Sequence, residues 1–485
     1  MKNSTSTFKR LNTNVLLSFV LLSVASCGFE RYTTKPIDPQ ALAKAHAAKS
    51  VNNPQFEDFL QSNGYAKENL PIKTWDLNAL VLCSLYFNPS LDEARAQLRL
   101  SELHAKTAGL RPIPTLNSNI GKSDRANGDI NPFSYTLSLD IALETAGKRT
   151  IRLENAVYLS DVAKLSIAQT MWQLRMNVAS SYQDLQNNAA LLTILAAEKQ
   201  RREAIVSMMQ KRVAVGVASN VELSTANLQL QQTALEYNQQ RLQTNTIKAA
   251  LASHLGLPLS SVNAMQFAQA PDLTEIDRHI FDAQSHSETA SDNSDALSID
   301  LQTRALINRL DIRTALVQYA IAENAVKLEI AKQYPDLVIS PGYAYEFGDR
   351  VWSLGLSGLL NILTKNKVAI ESAKALRDVE GAKFNRLQSQ VINELTQNNA
   401  AVAQTKGALK NQYAIYQSQR LNAEQMDKKF KLGEIDHVEL NYAQLELQAG
   451  LKQLALSYQQ YQLALIALEN SVQAPLNAPS DEGIL

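Results

Sequence analysis

A shift of 217 positions, from Gly216 to Gly433, carries one half of this 485-residue chain onto the other. It takes Val221-Glu222-Leu223 to Val438-Glu439-Leu440, Ala226 to Ala443, Leu228 to Leu445, Leu230-Gln231 to Leu447-Gln448, and Pro258-Leu259 to Pro475-Leu476. Further back the same shift lays Glu154 on Glu371, Ala156 on Ala373, and Tyr135, Leu137 and Leu139 on Trp352, Leu354 and Leu356. One register held over that distance marks an internal duplication, which constrains the architecture before any local motif does.

Proline is absent between Pro132 and Pro258 and again between Pro341 and Pro475. Arms of that length far exceed a globular helix of about 11 to 12 residues and read as extended coiled-coil-like rods. Unbroken, residues 147–212 would span about 100 Å at 1.5 Å per residue. Gln, Asn, Arg and Glu throughout the arm make it an amphipathic rod in water and not a membrane span. Gly216 and Gly433 supply the reversals, so each copy contributes a helical hairpin.

Before each hairpin lies a pair of strands. Phe133, Tyr135, Leu137, Leu139 and Ile141 alternate with Ser134, Thr136, Ser138 and Asp140. Copy two alternates Tyr343, Tyr345 and Phe347 with Ala344 and Glu346, turns at Gly348-Asp349, and continues with Trp352, Leu354 and Leu356 against Ser353, Gly355 and Ser357. One greasy, aromatic face and one small or polar face suit a membrane barrel, where about 9 to 11 residues cross the bilayer. Half-buried soluble hairpins carry the same alternation. Strand number separates the two: a closed barrel needs at least about eight strands, so four per chain implies a homotrimer with twelve.

At the N-terminus Lys2, Lys9 and Arg10 precede a short apolar run, the pattern of a signal peptide. The run ends in Val24-Ala25-Ser26-Cys27, which resembles a lipoprotein processing site with Cys27 as the lipidated N-terminus; Gly28 follows, favouring passage to the outer membrane. The only other cysteine is Cys83, so with Cys27 acylated there is no intramolecular disulfide and no cysteine metal site. Loss of the three leader bases takes the charge balance from 47 against 47 to 44 basic against 47 acidic, which argues against a nucleic-acid partner.

The tips Arg212-x3-Gly216-x2-Ser219-x2-Glu222 and Lys429-x3-Gly433-x2-Asp436-x2-Glu439 are similar to the signature of the TolC family of outer-membrane efflux proteins. Leu143-Glu144-Thr145-Ala146-Gly147-Lys148-Arg149 and Tyr334-Pro335-Asp336-Leu337, with Pro341-Gly342-Tyr343 and Trp352-Ser353-Leu354-Gly355-Leu356, are similar to its heavy-metal (cobalt, zinc, cadmium) branch. The resemblance covers essentially the whole mature chain. It implies a mainly α protein with a membrane β-barrel: a trimeric 12-stranded barrel in the Gram-negative outer membrane continued by a 12-helix periplasmic α-barrel. It further implies docking to a periplasmic adaptor (membrane fusion protein) and an RND-type inner-membrane pump, passive conduction of heavy-metal cations or drugs, and no enzymatic activity.

The expected organisation is a signal peptide over 1–26, a lipid-anchored segment over 27–74, and a first repeat over 75–260 with strands about 114–142 and a hairpin about 147–256. A polar equatorial segment over 261–299 follows, then a second repeat over 300–476 with strands about 336–359 and a hairpin about 364–474, and a tail over 477–485. His279 and His286 fall in the equatorial segment, whose Asp/Ser/Ala composition reads as a solvated insertion.

No histidine pair, cysteine pair or phosphate-cradling loop suggests a metal or nucleotide cofactor, leaving the acyl lipid on Cys27 as the one attached group. Glu434 and Asp436 are the candidates for the periplasmic entrance, since threefold symmetry would turn each into a carboxylate ring that favours cations. Both are equally candidates for helix caps. Arg212 and Lys429 either brace the closed tips through acidic neighbours or complement the dipole of the outgoing helix. Arg212, Gly216, Ser219, Lys429 and Gly433 form the candidate adaptor-docking tips. A second function, a periplasmic coiled-coil lipoprotein scaffold or adaptor without a pore, has no need of a lipid-facing aromatic girdle.

Overall fold

A computed structural model describes residues 30–124, 131–269, 272–273, 294–358 and 365–475. Cys27, His279 and His286 lie outside the described residues. The chain divides into two units, 1–48 and 49–485. The first contains α1 (Pro39–Ala47), capped by the Asp38 carboxylate through the N–H groups of Gln40 and Ala41, with none of its residues buried.

The second unit opens on α2 (Pro54–Ser62), α3 (Leu77–Phe87) and α4 (Pro89–Ala108). Residues 49–74, part of the segment expected to carry the lipid anchor, pack against the first hairpin. Phe56 and Leu60 are fully buried against Trp75, Leu80, Leu251 and Leu255, closing the end of the first hairpin. The Lys49 ammonium donates to the carbonyls of Phe87 (2.9 Å) and Gly256 (3.2 Å). Trp75 also pairs with the residues following that hairpin, its N–H donating to Gln266 O at 2.8 Å.

Strands β1 (Thr115–Lys122), β2 (Phe133–Leu143), β3 (Leu337–Glu346) and β4 (Asp349–Ser357) form one antiparallel sheet in the order β1-β2-β3-β4. The two repeats meet at its centre, with Tyr135 opposite Tyr345 and Leu137 opposite Tyr343. The turn between β3 and β4 sits one residue earlier than the sequence suggests. Phe347 and Gly348 take φ of +52° and +120°, while Asp349 already pairs with Glu346. Paired positive-φ residues match the twist of a two-residue hairpin, so Phe347 leaves the aromatic face and Asp349 joins the strand.

The register puts Leu116 and Ile120 beside Leu139 and Tyr135, and Tyr343 beside Trp352, all on one face. That face is bare in the protomer, with Trp352 80 % exposed. The opposite face carries Asn117, Asn119, Ser134, Thr136, Ser138, Asp140, Ser353 and Ser357, with Asn117 donating to Asp140 at 2.8 Å. Among the described residues, β1 and β4 each have one edge that pairs with no other strand.

Below the sheet run α5 (Lys148–Ala214, 67 residues) and α6 (Asn220–Leu255), then the short α7 (Leu259–Asn263). The second copy supplies α8 (Ser294–Asn308), α9 (Leu310–Ala331), α10 (Lys367–Lys431, 65 residues) and α11 (His437–Val472). Helix α8 begins inside the segment that composition reads as a polar insertion. At the hairpins the repeat is visible to the residue: Ala214 and Lys431 end the descending helices, Asn220 and His437 begin the ascending ones, and Leu255 and Val472 end them. Helix α5 packs against α4, α6, α9 and α11, and α10 against α9 and α11, so the wall runs α6-α5-α11-α10 from one side of the protomer to the other. No helix among the described residues is long and apolar enough to cross a membrane.

Candidate functional site at the hairpin tips

Each descending helix stops the same way. Gly216 and Gly433 take φ of +76° and +78°, conformations that a side chain at Cβ disfavours. The N–H of Gly216 donates to Val213 O and that of Val217 to Arg212 O, closing the six-residue loop of a Schellman motif. In copy two Gly433 donates to Phe430 O and Glu434 to Lys429 O. Arg212 and Lys429 are thus the residues whose carbonyls seal the two tips.

The ascending helices are capped differently. Ser219 and Glu222 form a capping box, Ser219 Oγ accepting from Glu222 N–H (3.2 Å) while the Glu222 carboxylate accepts from Ser219 N–H (2.7 Å). Those bonds pull the Glu222 carboxyl below its usual range. In copy two Asp436 takes the capping position and accepts from Val438 N–H (2.7 Å) and Glu439 N–H (3.0 Å).

Asp436 also receives the Arg212 guanidinium, joining the tip of the first hairpin to that of the second. Of the two roles open to Arg212 in the sequence, pairing with an acidic neighbour is the one adopted. Glu434 is exposed beside Gly433 and takes no part in this cap. The ring of His437 packs against that of Phe430 at a tilt of 50°, with centroids 4.2 Å apart, bracing the second tip internally.

The N–H of Glu439, then that of Val438 and the Arg212 cation hold the Asp436 carboxyl below the usual carboxylate range. A depressed carboxyl stabilises the fold above its unfolded value of about 3.9 and loses that contribution as pH falls through its folded value. The cross-tip contact is therefore expected to hold at neutral pH and to loosen only as pH falls through the depressed folded value of Asp436. Amide hydrogen exchange at Val438 and Glu439 as a function of pH checks this, and protection that persists after Asp436 is protonated would count against it.

A second polar constellation, whose role the sequence motifs did not disclose, lies where the sheet meets the rods. Asp336 Oδ1 accepts from the Lys148 ammonium (2.8 Å) and from Thr145 N–H (2.9 Å). Lys148 Nζ also donates to Tyr334 O (2.6 Å), and Thr145 Oγ1 to Pro335 O (2.7 Å). The two segments similar to the heavy-metal branch thus bind each other. No group of side chains able to hold a metal ion occurs among the described residues.

The protomer thus combines a sheet with one exposed apolar face and helical rods of about 100 Å. The family model described as outer membrane efflux protein matches residues 84–257. No curated protein matches the chain in sequence. Among solved structures, the outer membrane protein VceC from Vibrio cholerae aligns with TM-score 0.64 at 18% identity, over 83% of this chain and 97% of its own. The outer-membrane channel OprN aligns with TM-score 0.65 at 19% identity over 92% and 99%, and CusC with 0.64 at 15% over 92% and 99%.

Proposed function

We propose that this protein is the outer-membrane channel of a tripartite efflux system, conducting solutes passively from periplasm to exterior after docking to a periplasmic adaptor and an RND-type inner-membrane pump. The observation that carries the reading is the four-stranded sheet, apolar and exposed on one face, polar on the other, and unpaired at both edges. Lipid has no donors or acceptors to satisfy open edges, so such a sheet needs copies of itself to close. Three copies give a twelve-stranded barrel with the serine- and asparagine-rich face inward, continued by a twelve-helix tunnel. CusC, similar in fold, is described as forming a transmembrane channel.

In this reading Cys27 carries the anchoring lipid, and the tip residues Arg212, Gly216, Ser219, Lys429 and Gly433 meet the adaptor. Glu434 supplies a standing ring of carboxylates at the periplasmic entrance. Asp436 adds its charge only when Arg212 lets go, so selectivity for cations rises as the entrance opens. Heavy-metal cations and cationic drugs are the cargo that such a filter admits. The chain performs no chemistry of its own.

The test is single-channel recording of the detergent-extracted protein in a planar bilayer under a salt gradient. Discrete steps with a reversal potential favouring cations are expected, and replacing Glu434 and Asp436 by asparagine is expected to move that potential toward zero. A protein that stays monomeric and never enters lipid would instead be a periplasmic scaffold. An unchanged reversal potential in the double variant would remove the acidic filter while leaving the channel.

A further inference from the structure

The sheet sorts its charges by face. On the face that carries the aromatic rings, the register places Lys122 of β1 beside Phe133, and Arg350 of β4 beside Tyr345. No acidic residue of the four strands shares that face. The acids of the strands, Asp140, Glu346 and Asp349, all fall on the opposite, polar face, which has no base. Lys122 and Arg350 are both exposed, and neither forms an ion pair with a described residue. A base on a lipid-facing surface is costly at the middle of a bilayer and nearly free at its edge, so its height on the sheet decides what it can do.

From Leu143, where the sheet meets the rods, β2 rises eight residues to Tyr135 in the row of Arg350 and ten to Phe133 in the row of Lys122. At about 3.4 Å per residue and a strand tilt of about 40°, the two cations stand about 21 and 26 Å above that joint. The apolar band of a membrane barrel is about 25 Å tall. Both cations therefore lie at its far rim, at headgroup level, on the side away from the rods. Phe133, Tyr135 and Tyr345 occupy the same two rows with ring centroids 6.2 and 6.3 Å apart, and Asn131 donates to the Tyr345 hydroxyl at 3.1 Å. Rings with an apolar body and a bonded polar tip are what a membrane interface collects.

We propose that Lys122 and Arg350 bind the phosphate groups of the glycolipid that forms the outer leaflet. The proposal rests on the channel reading above, which sets the rods in the periplasm and the far rim in that leaflet, and it adds a ligand and the residues that hold it. The two side chains suit phosphate in complementary ways, the ammonium as a point charge and the guanidinium through paired donors. In a closed ring β4 of one copy comes to β1 of the next, so Arg350 and Lys122 flank the same junction and three such pairs encircle the barrel.

Charge complementarity selects this occupant. A hairpin rim standing in water on both sides has no need to separate its charges by face. A wall with a cation-conducting pore on one side and anionic headgroups on the other does: Glu346 and Asp349, opposite each other at the β3–β4 turn, face the pore mouth, while Lys122 and Arg350 face the lipid. The apolar rows beneath the two cations, with Trp352 and Leu354 exposed, seat the acyl chains of the same lipid.

The experiment titrates the detergent-extracted full-length protein with diphosphorylated lipid A, with its dephosphorylated form and with phosphatidylglycerol. Native mass spectrometry reads the bound lipid and the oligomer together. The wild type is expected to be trimeric and to hold the diphosphorylated glycolipid most tightly. Lys122→Gln or Arg350→Gln should each weaken that binding about 5-fold and the double variant about 30-fold, the effect of one and two bases at a headgroup surface. Lys122→Arg should preserve it. A trimer that binds the dephosphorylated form equally well, or a double variant that binds like wild type, overturns the phosphate site and leaves the channel standing. Phosphatidylglycerol held as tightly as the diphosphorylated glycolipid overturns the choice of lipid. A chain that is monomeric throughout overturns the channel reading itself, and the site with it.

Discussion

Replacing Arg212 by alanine is expected to raise the open population of the channel by between about 3-fold and about 150-fold, read as open probability in planar-bilayer recordings. The range follows from the geometry. Arg212 and Asp436 bridge the first hairpin to the second at the very tip, where in the proposed channel the hairpins part as the entrance widens. Both side chains are more than a third exposed, so solvent screens the pair and it is worth only about 0.2–1 kcal/mol. In a trimer three such pairs break together, so the closed state loses about 0.6–3 kcal/mol, which is the stated range at RT of about 0.59 kcal/mol. Asp436→Asn should open the tip to a similar extent while reducing cation preference, because the amide oxygen keeps the cap but loses the charge. Ser219→Ala removes a cap without touching the pair and should leave open probability unchanged. At 1 M salt, where screening acts within about 3 Å, the wild type should approach the Arg212 variant. An Arg212→Ala channel that gates like wild type would show that the pair is incidental to closure.

The repeat is legible in the sequence because glycine at a hairpin tip and proline after a helix are local requirements, and the two copies keep them in one register. Ser219 and Asp436 differ in type but share one capping geometry, and that too can be read locally. The partner of Asp436 cannot be. Whether Arg212 meets it depends on α5 and α11 being neighbours in the wall, a fact of topology between residues 224 positions apart. The packing of residues 49–74 escaped for a similar reason. Phe56 and Leu60 sit on a helix of nine residues, too short for its apolar period to reveal a partner. The β3–β4 turn lies one residue before the dipeptide Gly348-Asp349 that marks it in the sequence, because Phe347, a poor occupant of positive φ, takes that conformation here. The strand register, which pairs Glu346 with Asp349, decided the matter.

The contact between Lys148 and Asp336 is expected to give the largest stability effect of any single ion pair among the described residues. Lys148 enters α5 directly after Ala146 and Gly147, both at positive φ, and its side chain is 8 % exposed. Asp336 precedes β3 and is 44 % exposed. The pair thus ties the start of a rod in one repeat to the start of a strand in the other, at the joint between tunnel and sheet. Asp336→Ala leaves a buried ammonium with only the Tyr334 carbonyl, and stranding a buried charge costs about 3–5 kcal/mol. The partial exposure of Asp336 lets water approach its vacated position, which puts the expected loss near the lower end, at about 3 kcal/mol. Lys148→Met should cost less, because the carboxylate it abandons is half in solvent and still accepts the Thr145 N–H. The double variant with Lys148→Met and Asp336→Leu should recover to within about 1 kcal/mol of wild type, since neither charge then remains to be solvated. Urea unfolding of the detergent-solubilised protein measures all three, and their cycle isolates the coupling. If the double variant loses as much as the sum of the singles, the joint is held by packing around these residues and the ion pair is a passenger.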